Sequence, residues 1–262
     1  VSSDLIPRVL SALVLAPIVL VAVWFGGLPF HLLMAIVIVL MAYEWTRLTC
    51  GPAWRIEAII MAGTALGAML ATVTDNLNLV GWIILAGMAV SAGLGWVRGQ
   101  ELRWRLLGGP YISLGPVAFV WLRDQDGVGL ALIVWLLLVI WAMDIGAYFA
   151  GRAIGGPKLA PRASPNKTWA GLIGGMVCAG IMGSAMASVT SLGPVWTLAE
   201  LAVAIGVWSQ VGDIAESMVK RHFGVKDMSN LIPGHGGILD RVDGLLFAAP
   251  AMAAFYLVTG SI

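Results

Sequence analysis

The sequence predicts an all-α polytopic membrane protein with about nine transmembrane helices and its N-terminus in the cytoplasm. Three observations lead there. Charged residues make up 11% of the 262 residues and mean hydropathy is +0.92, against roughly 25% charged in a soluble domain. Apolar runs near the ~20 residues that cross the hydrocarbon recur along the chain. When the helices alternate across the bilayer, all 15 Lys and Arg residues except Arg123 fall on one side, which the positive-inside rule assigns to the cytoplasm.

The first helix is expected over 5–25. Its apolar run could pass for a signal peptide, but it lacks a clear small-residue cleavage site and leads straight into further spans. The second, 29–48, ends in MAYEWTR, where Glu44 stands three residues before Arg47 and is expected to pair with it or to sit at the interface. Helices over 56–74 and 77–97 follow, and Arg98, Arg103 and Arg105 fill the loop before the fifth helix, 106–122. The sixth, 128–151, carries Asp144 about two turns before its cytoplasmic end. The seventh covers 169–190, with Thr168 placed to cap it. The eighth, 196–219, carries Asp213 at a similar depth, and the ninth covers 242–260. Asp4, Asp75, Asp124, Asp126 and Glu200 lie near span ends and are expected to face water or headgroups.

Composition also excludes. A net charge of +1 gives no bulk electrostatic case for nucleic acid. Cys50 and Cys178 are too few for a disulfide framework or a zinc site and are expected as buried thiols. Neither GxxxxGK[ST] nor GxGxxG after a strand occurs, so there is no P-loop and no dinucleotide fold.

Ionisable residues inside spans are costly and mark function by default. Asp213, Glu216, Ser217 and Lys220 share one face of the eighth helix. Asp240 and Asp243, in ILDRVDG, are three apart. A structural polar network, with Asp213 on Lys220 or Asp240 on Arg241, is one explanation. The other is a cation between converging carboxylates, which would otherwise repel; such hard oxygen donors suit Mg²⁺ with substrate phosphates.

The polar stretches lie in two loops on the basic side. Loop 152–168 offers Arg152, Lys158, Arg162 and Lys167 with Ser164 and Thr168. This suits a polyphosphate, or an anchor on anionic headgroups. Loop 220–241 contains LIPGHGGILDR, where His235 stands between glycines that permit tight backbone and exposed N–H donors.

From Ser217 to Asp243 the residues read S-x-V-K-R-x(4)-K-D-x-S-x(2)-I-P-G-H-G-G-I-L-D-R-V-D. This resembles the signature of the phosphatidate cytidylyltransferase family, as do the blocks WAMDIGAYFAGR and SPNKTWAG. In SPNKTWAG, Asn166 and Ala170 stand where the family usually has lysine and glutamate. The resemblance covers the C-terminal half; the N-terminal helices are similar in hydropathy alone. It implies that CTP and phosphatidic acid give CDP-diacylglycerol and pyrophosphate, with Mg²⁺ on Asp213 and Asp240 and a K⁺ ion as a further candidate. It also implies a homodimer in a bacterial-type inner membrane, with the active site facing the cytoplasm.

On this footing the catalytic set is Asp213, Lys220, Arg221, His235, Asp240 and Arg241. The substrate-binding set is Asp144, Arg152, Ser164, Lys167, Thr168, Ser217, Lys226, Asp227, Gly236, Gly237 and Asp243. Residues 1–125 would form a lipid-facing wall or dimer surface, and 126–262 the catalytic region. The rival readings are a CTP-dependent polyprenol kinase and an ion-coupled secondary transporter. The transporter is disfavoured because the polar residues gather at one face and no matching broken helices occur in two halves.

Overall fold

A computed structural model of the chain describes residues 5–74, 76–190 and 192–260, with side chains from residue 13 onward. Asp4 and Asp75, and the side chain of Arg8, lie outside the described residues. Nine helices are found among them: α1 (Leu5–Phe25), α2 (Gly27–Thr49), α3 (Trp54–Thr72), α4 (Leu77–Val97), α5 (Leu102–Arg123), α6 (Gly129–Ile154), α7 (Trp169–Ala187), α8 (Val195–His222) and α9 (Leu239–Thr259). Among the described residues, seven helical stretches are long and apolar enough to cross a membrane: α2, Gly51–Thr72, α4, α6, α7, α8 and α9. The chain is an all-α multi-pass membrane protein.

The helix ends differ from expectation where charge favours extension. α8 runs on to His222, so Lys220 and Arg221 lie in its last turn, where cations suit the helix dipole. α9 begins at Leu239, so Asp240 lies in its first turn, where a carboxylate suits it. Loop 152–168 is not irregular throughout. Strands β1 (Lys158–Ala160) and β2 (Ser164–Thr168) pair antiparallel, Lys158 opposite Thr168 and Ala160 opposite Ser164.

The chain divides into two compact units, each considered by itself. The first comprises Val1–Asp124 with Asp227–Val242; the second comprises Gln125–Lys226 with Asp243–Ile262.

In the first unit α3 packs against α2, α4 and α5, with Ile38, Met41, Ala65, Ala68 and Ile112 fully buried. Arg105, expected in a loop, is instead buried in α5. Its Nε is 2.9 Å from Glu57 Oε1 on α3, and its other nitrogens donate to Gln100 Oε1 at 2.5 Å and to the Glu101 carbonyl at 3.0 Å. Ser91 Oγ of α4 donates to Glu57 Oε2 at 2.6 Å. One carboxylate thus ties three helices, and a Cβ on Gly95 would lie 2.7 Å from Arg105 Cδ. Arg123 is held as well: its guanidinium donates to the Val23 and Trp24 carbonyls at 2.7 and 3.0 Å. Cys50 is buried and free.

In the second unit α7 lies between α6 and α8. Small residues allow the approach, as in membrane helix pairs generally. A Cβ on Gly146 would lie 2.6 Å from Cys178 Sγ, one on Gly171 2.8 Å from the Ala147 carbonyl oxygen, and one on Gly183 2.5 Å from the Leu198 carbonyl oxygen. Thr168 caps α7 as its position predicts, Oγ1 accepting from Gly171 N at 3.0 Å.

Removing one partner of a buried pair leaves the other charge uncompensated, at about 3–5 kcal/mol. Glu57→Ala is therefore expected to lower the unfolding midpoint of the detergent-solubilised protein well below that of a surface change such as Arg103→Ala. Equal midpoints would remove the Glu57–Arg105 pair from the determinants of stability.

Candidate active site

The second unit contains a cleft of about 620 Å³. α6 gives it Asp144, Ala147, Tyr148, Gly151 and Arg152, spaced to line one helix face. The hairpin gives Leu159, Asn166, Lys167 and Thr168; α7 gives Gly171 and Leu172; α8 gives Gln210 and Asp213.

Its polar groups form a chain. Lys167 Nζ lies 2.5 Å from Asp213 Oδ2 and donates to Gln210 Oε1 at 2.7 Å. Gln210 Nε2 donates to Asp144 Oδ1 at 2.9 Å. Ser217 Oγ lies 3.4 Å from Asp213 Oδ1. Arg152, exposed at the rim, donates to the Tyr148 hydroxyl at 2.9 Å. The cleft thus holds lysine, arginine and two carboxylates against apolar helix walls, an arrangement able to take a charged ligand at a helix end.

Of the sequence-derived candidates, Asp144, Arg152, Lys167, Thr168 and Asp213 meet here. Ser164 is half-buried on β2 and does not line the cleft. Arg221 donates to the Ala163 and Val225 carbonyls at 3.4 and 3.3 Å, and so braces the hairpin. Lys220 is buried, with Nζ 3.1 Å from Glu216 Oε1. Asp243 has Asp213, Glu216 and Lys220 as charged neighbours, and its Oδ1 accepts from Gly244 N at 2.8 Å. Lys226 is exposed. Sequence reasoning missed Gln210, Tyr148 and Asn166. Gln210 carried a usable signal, being a polar residue one turn before Asp213 in an apolar helix.

The first unit holds the remaining candidates. Asp240 Oδ2 accepts from Met228 N and Gly237 N, both at 2.8 Å. Glu44, expected beside Arg47 or at the interface, turns instead to this loop. Its Oε1 accepts from Ser229 Oγ at 2.6 Å and Ile238 N at 2.9 Å, and its Oε2 from Leu239 N at 2.8 Å. Arg47 bonds the Tyr43 hydroxyl. His235 lies in a tight turn, its N–H donating to the Ile232 carbonyl at 2.9 Å, while Ile232 N donates to Gly236 O at 2.8 Å. Gly236 has φ +81, a backbone that disfavours a side chain. Asp227 and Arg241 are exposed.

The donor set of the cleft fits a hard cation. Asp144 and Asp213 offer oxygens on either side of Gln210, and the Lys167 ammonium on Asp213 occupies a spot that favours positive charge. Among the described residues no group of three or more His, Cys, Asp or Glu converges on a point. Mg²⁺ does not require that, since it takes one or two carboxylates with waters and substrate phosphates. Asp240 is placed differently, one oxygen being committed to two backbone N–H groups.

Fold and cleft together define a class: a multi-pass helical membrane protein with a charged cleft among apolar helices. Comparison with known proteins specifies it further. Residues 6–259 match the cytidylyltransferase family. Phosphatidate cytidylyltransferases of Brucella suis and Pseudomonas aeruginosa are 41% and 38% identical, over 97% of this chain and 93% and 97% of theirs. That of Bacillus subtilis is 41% identical over 58% of this chain and 56% of its own. The chain belongs to the cytidylyltransferase family and is a nucleotidyltransferase.

Gln210 joins Asp144 to Lys167, and Gln210→Leu keeps its bulk while removing both bonds. Losses of supporting bonds of this kind cost about 10–100-fold. A fall of about tenfold or more in kcat/KM for cytidylyl transfer, with the protein still folded, is the expected result. An unchanged kcat/KM would place Gln210 outside the working site.

Proposed function

We propose that the protein is a phosphatidate cytidylyltransferase, joining CTP and phosphatidic acid to give CDP-diacylglycerol and pyrophosphate for phospholipid synthesis. The observation that carries this reading is the cleft of the second unit. Its Lys167, Arg152, Asp144 and Asp213 stand among membrane helices, where a lipid phosphate and a nucleotide can be held together.

A phosphatidate oxygen attacks the α-phosphorus of CTP. A new P–O bond forms, the α–β anhydride bond breaks, and pyrophosphate leaves. A phosphate monoester has a second pKa near ~6, so the nucleophile is already ionised at neutral pH and no strong base is needed. The barrier lies in bringing two anions together, and positioning with charge stabilisation meets it. Lys167 and Arg152 are the proposed partners of the phosphates, Lys167 being oriented by Gln210 and Asp213. Thr168, by capping α7, sets the turn that delivers Lys167. Lys220 and Arg221 act behind the cleft by holding Glu216 and the hairpin, and Ser217 by supporting Asp213.

The proposed metal carboxylates are Asp213 and, from the family resemblance, Asp240; Mg²⁺ would neutralise charge on the triphosphate. K⁺ as a second cation, a homodimer, and roles for His235, Arg241, Lys226 and Asp227 rest on the resemblance alone. A cytoplasmic-facing site in an inner membrane is supported by the basic loops and the bacterial relatives. Arg105 drops out of that tally, since Glu57 neutralises it.

The test uses purified protein in detergent–phosphatidic acid micelles with α-labelled CTP and Mg²⁺. Label should enter the lipid, and EDTA or Asp213→Asn should reduce this by about 100-fold or more, the scale of losing a main electrostatic group. Label left in water, with γ-label entering an added polyprenol, would instead make the protein a kinase.

A further inference from the structure

We propose that Glu44 of α2 is a positioning residue for the transfer reaction: it fixes the first turn of α9 and, through it, Asp240 and Arg241. This rests on the reading above. Neither the signature nor the N-terminal hydropathy points to Glu44, which lies far up the chain from the loop it holds.

Glu44 is 1% exposed. A carboxylate removed from water needs donors, and Glu44 finds three on one loop, in Ser229 Oγ, Ile238 N and Leu239 N. The two N–H groups belong to the start of α9, where helical N–H donors have no partner within the helix and a negative charge suits the dipole. Gly237 N, immediately before them, goes to Asp240 Oδ2. Three consecutive N–H groups are therefore shared between two carboxylates, and the pair clasps the loop from both sides. Ile238 and Leu239 directly precede Asp240 and Arg241, so the bonds to Glu44 set where those two side chains leave the backbone.

Gly237 shows the same contact from the other side. Its φ is not in the left-handed region, so alanine is acceptable to the backbone. The obstacle is Glu44, since a Cβ on Gly237 would lie 2.5 Å from Glu44 Oε1. An alanine at 237 would have to displace the Glu44 carboxylate. The same contact can thus be broken from either end.

The experiment compares Glu44→Gln, Glu44→Asp, Gly237→Ala and the Glu44→Gln/Gly237→Ala double variant with wild type. It reads kcat, KM for CTP, the Mg²⁺ concentration at half-maximal rate, the unfolding midpoint, and amide exchange at Ile238 and Leu239. Glutamine keeps the shape but replaces an accepting oxygen with an NH₂ that faces a backbone donor. The expected result is exchange at these amides about tenfold faster and kcat lower by about 10–100-fold. KM for CTP should change little, the Mg²⁺ requirement should rise, and the midpoint should fall only modestly, less than in Glu57→Ala, as for one buried donor left unsatisfied. Glu44→Asp should recover part of kcat. The double variant should be no worse than the worse single, as expected when both changes break one contact.

Wild-type kcat and Mg²⁺ dependence in Glu44→Gln would overturn the proposal, as would faster exchange with unchanged kcat, which would make Glu44 a cap and nothing more. Should Glu44→Gln fail to fold, Gly237→Ala carries the test from the other side, and full activity there would overturn it equally. A wild-type protein that transfers no cytidylyl group would overturn the functional reading and this role with it, while exchange at Ile238 and Leu239 would still show whether Glu44 holds the turn.

Discussion

A charge carried on an apolar helix must be met by the protein, because hydrocarbon offers it nothing. That requirement organises both units. Glu57 meets Arg105 and Ser91, and three helices of the first unit are joined where they do. Glu44 meets the start of α9. In the second unit Asp213 meets Lys167, Asp144 meets Gln210, and Glu216 meets Lys220. The kind of partner separates the carboxylates by task. Glu57, Glu216 and Glu44 are fully enclosed; Glu57 ties helices, Glu44 holds a loop, and Glu216 pairs with Lys220 one turn along α8. Asp213 is partly open, with a side-chain exposure of 31%, and its partner Lys167 lines the cleft beside it.

The cleft depends equally on what is missing from α6 and α7. Glycines at 146, 171 and 175 let the two backbones approach until a Cβ would strike a carbonyl oxygen of the other helix. Each carbonyl brought near is a constraint on rotation, so the helices are fixed about their axes as well as in distance. This fixes where Asp144 and Arg152 point. The hairpin then crosses to α7 by way of the Thr168 cap, and Lys167, one residue earlier, has little choice but to face Asp213 and Gln210. Packing of small residues and a single hydroxyl cap thus convert a basic loop into a directed cation.

The helices were legible in the sequence because hydropathy is a local signal: α1 and α4 begin and end where the apolar runs do. Thr168 as a cap and Asp213 with Ser217 on one face were legible for the same reason, since the spacing of neighbours decides them. What was not legible is pairing across the chain. Glu44 has Arg47 as its neighbour on its own helix, and local spacing suggests that pair. The partners it takes lie 185 to 195 residues away. Arg105 reads as a loop residue until Glu57, 48 residues earlier, is brought beside it. The strands β1 and β2 are too short for an alternating pattern to show. Gln210 marks the boundary between the two cases: its depth was visible, its partners were not.

Glycines beside His235 suggest, from sequence, a loop that opens its N–H groups to a phosphate. The hydrogen bonds assign part of that loop elsewhere. Gly237, Ile238 and Leu239 give their N–H donors to Asp240 and Glu44, and His235 and Ile232 spend theirs within the turn. Beside these two carboxylates the backbone of residues 237–239 is closed onto protein acceptors. Lys167 and Arg152 carry positive charge into the cleft of the second unit. At Gly236 and Gly237 the backbone is closely approached by carboxylates: a Cβ there would lie 2.9 Å from Asp240 Oδ2 and 2.5 Å from Glu44 Oε1, respectively.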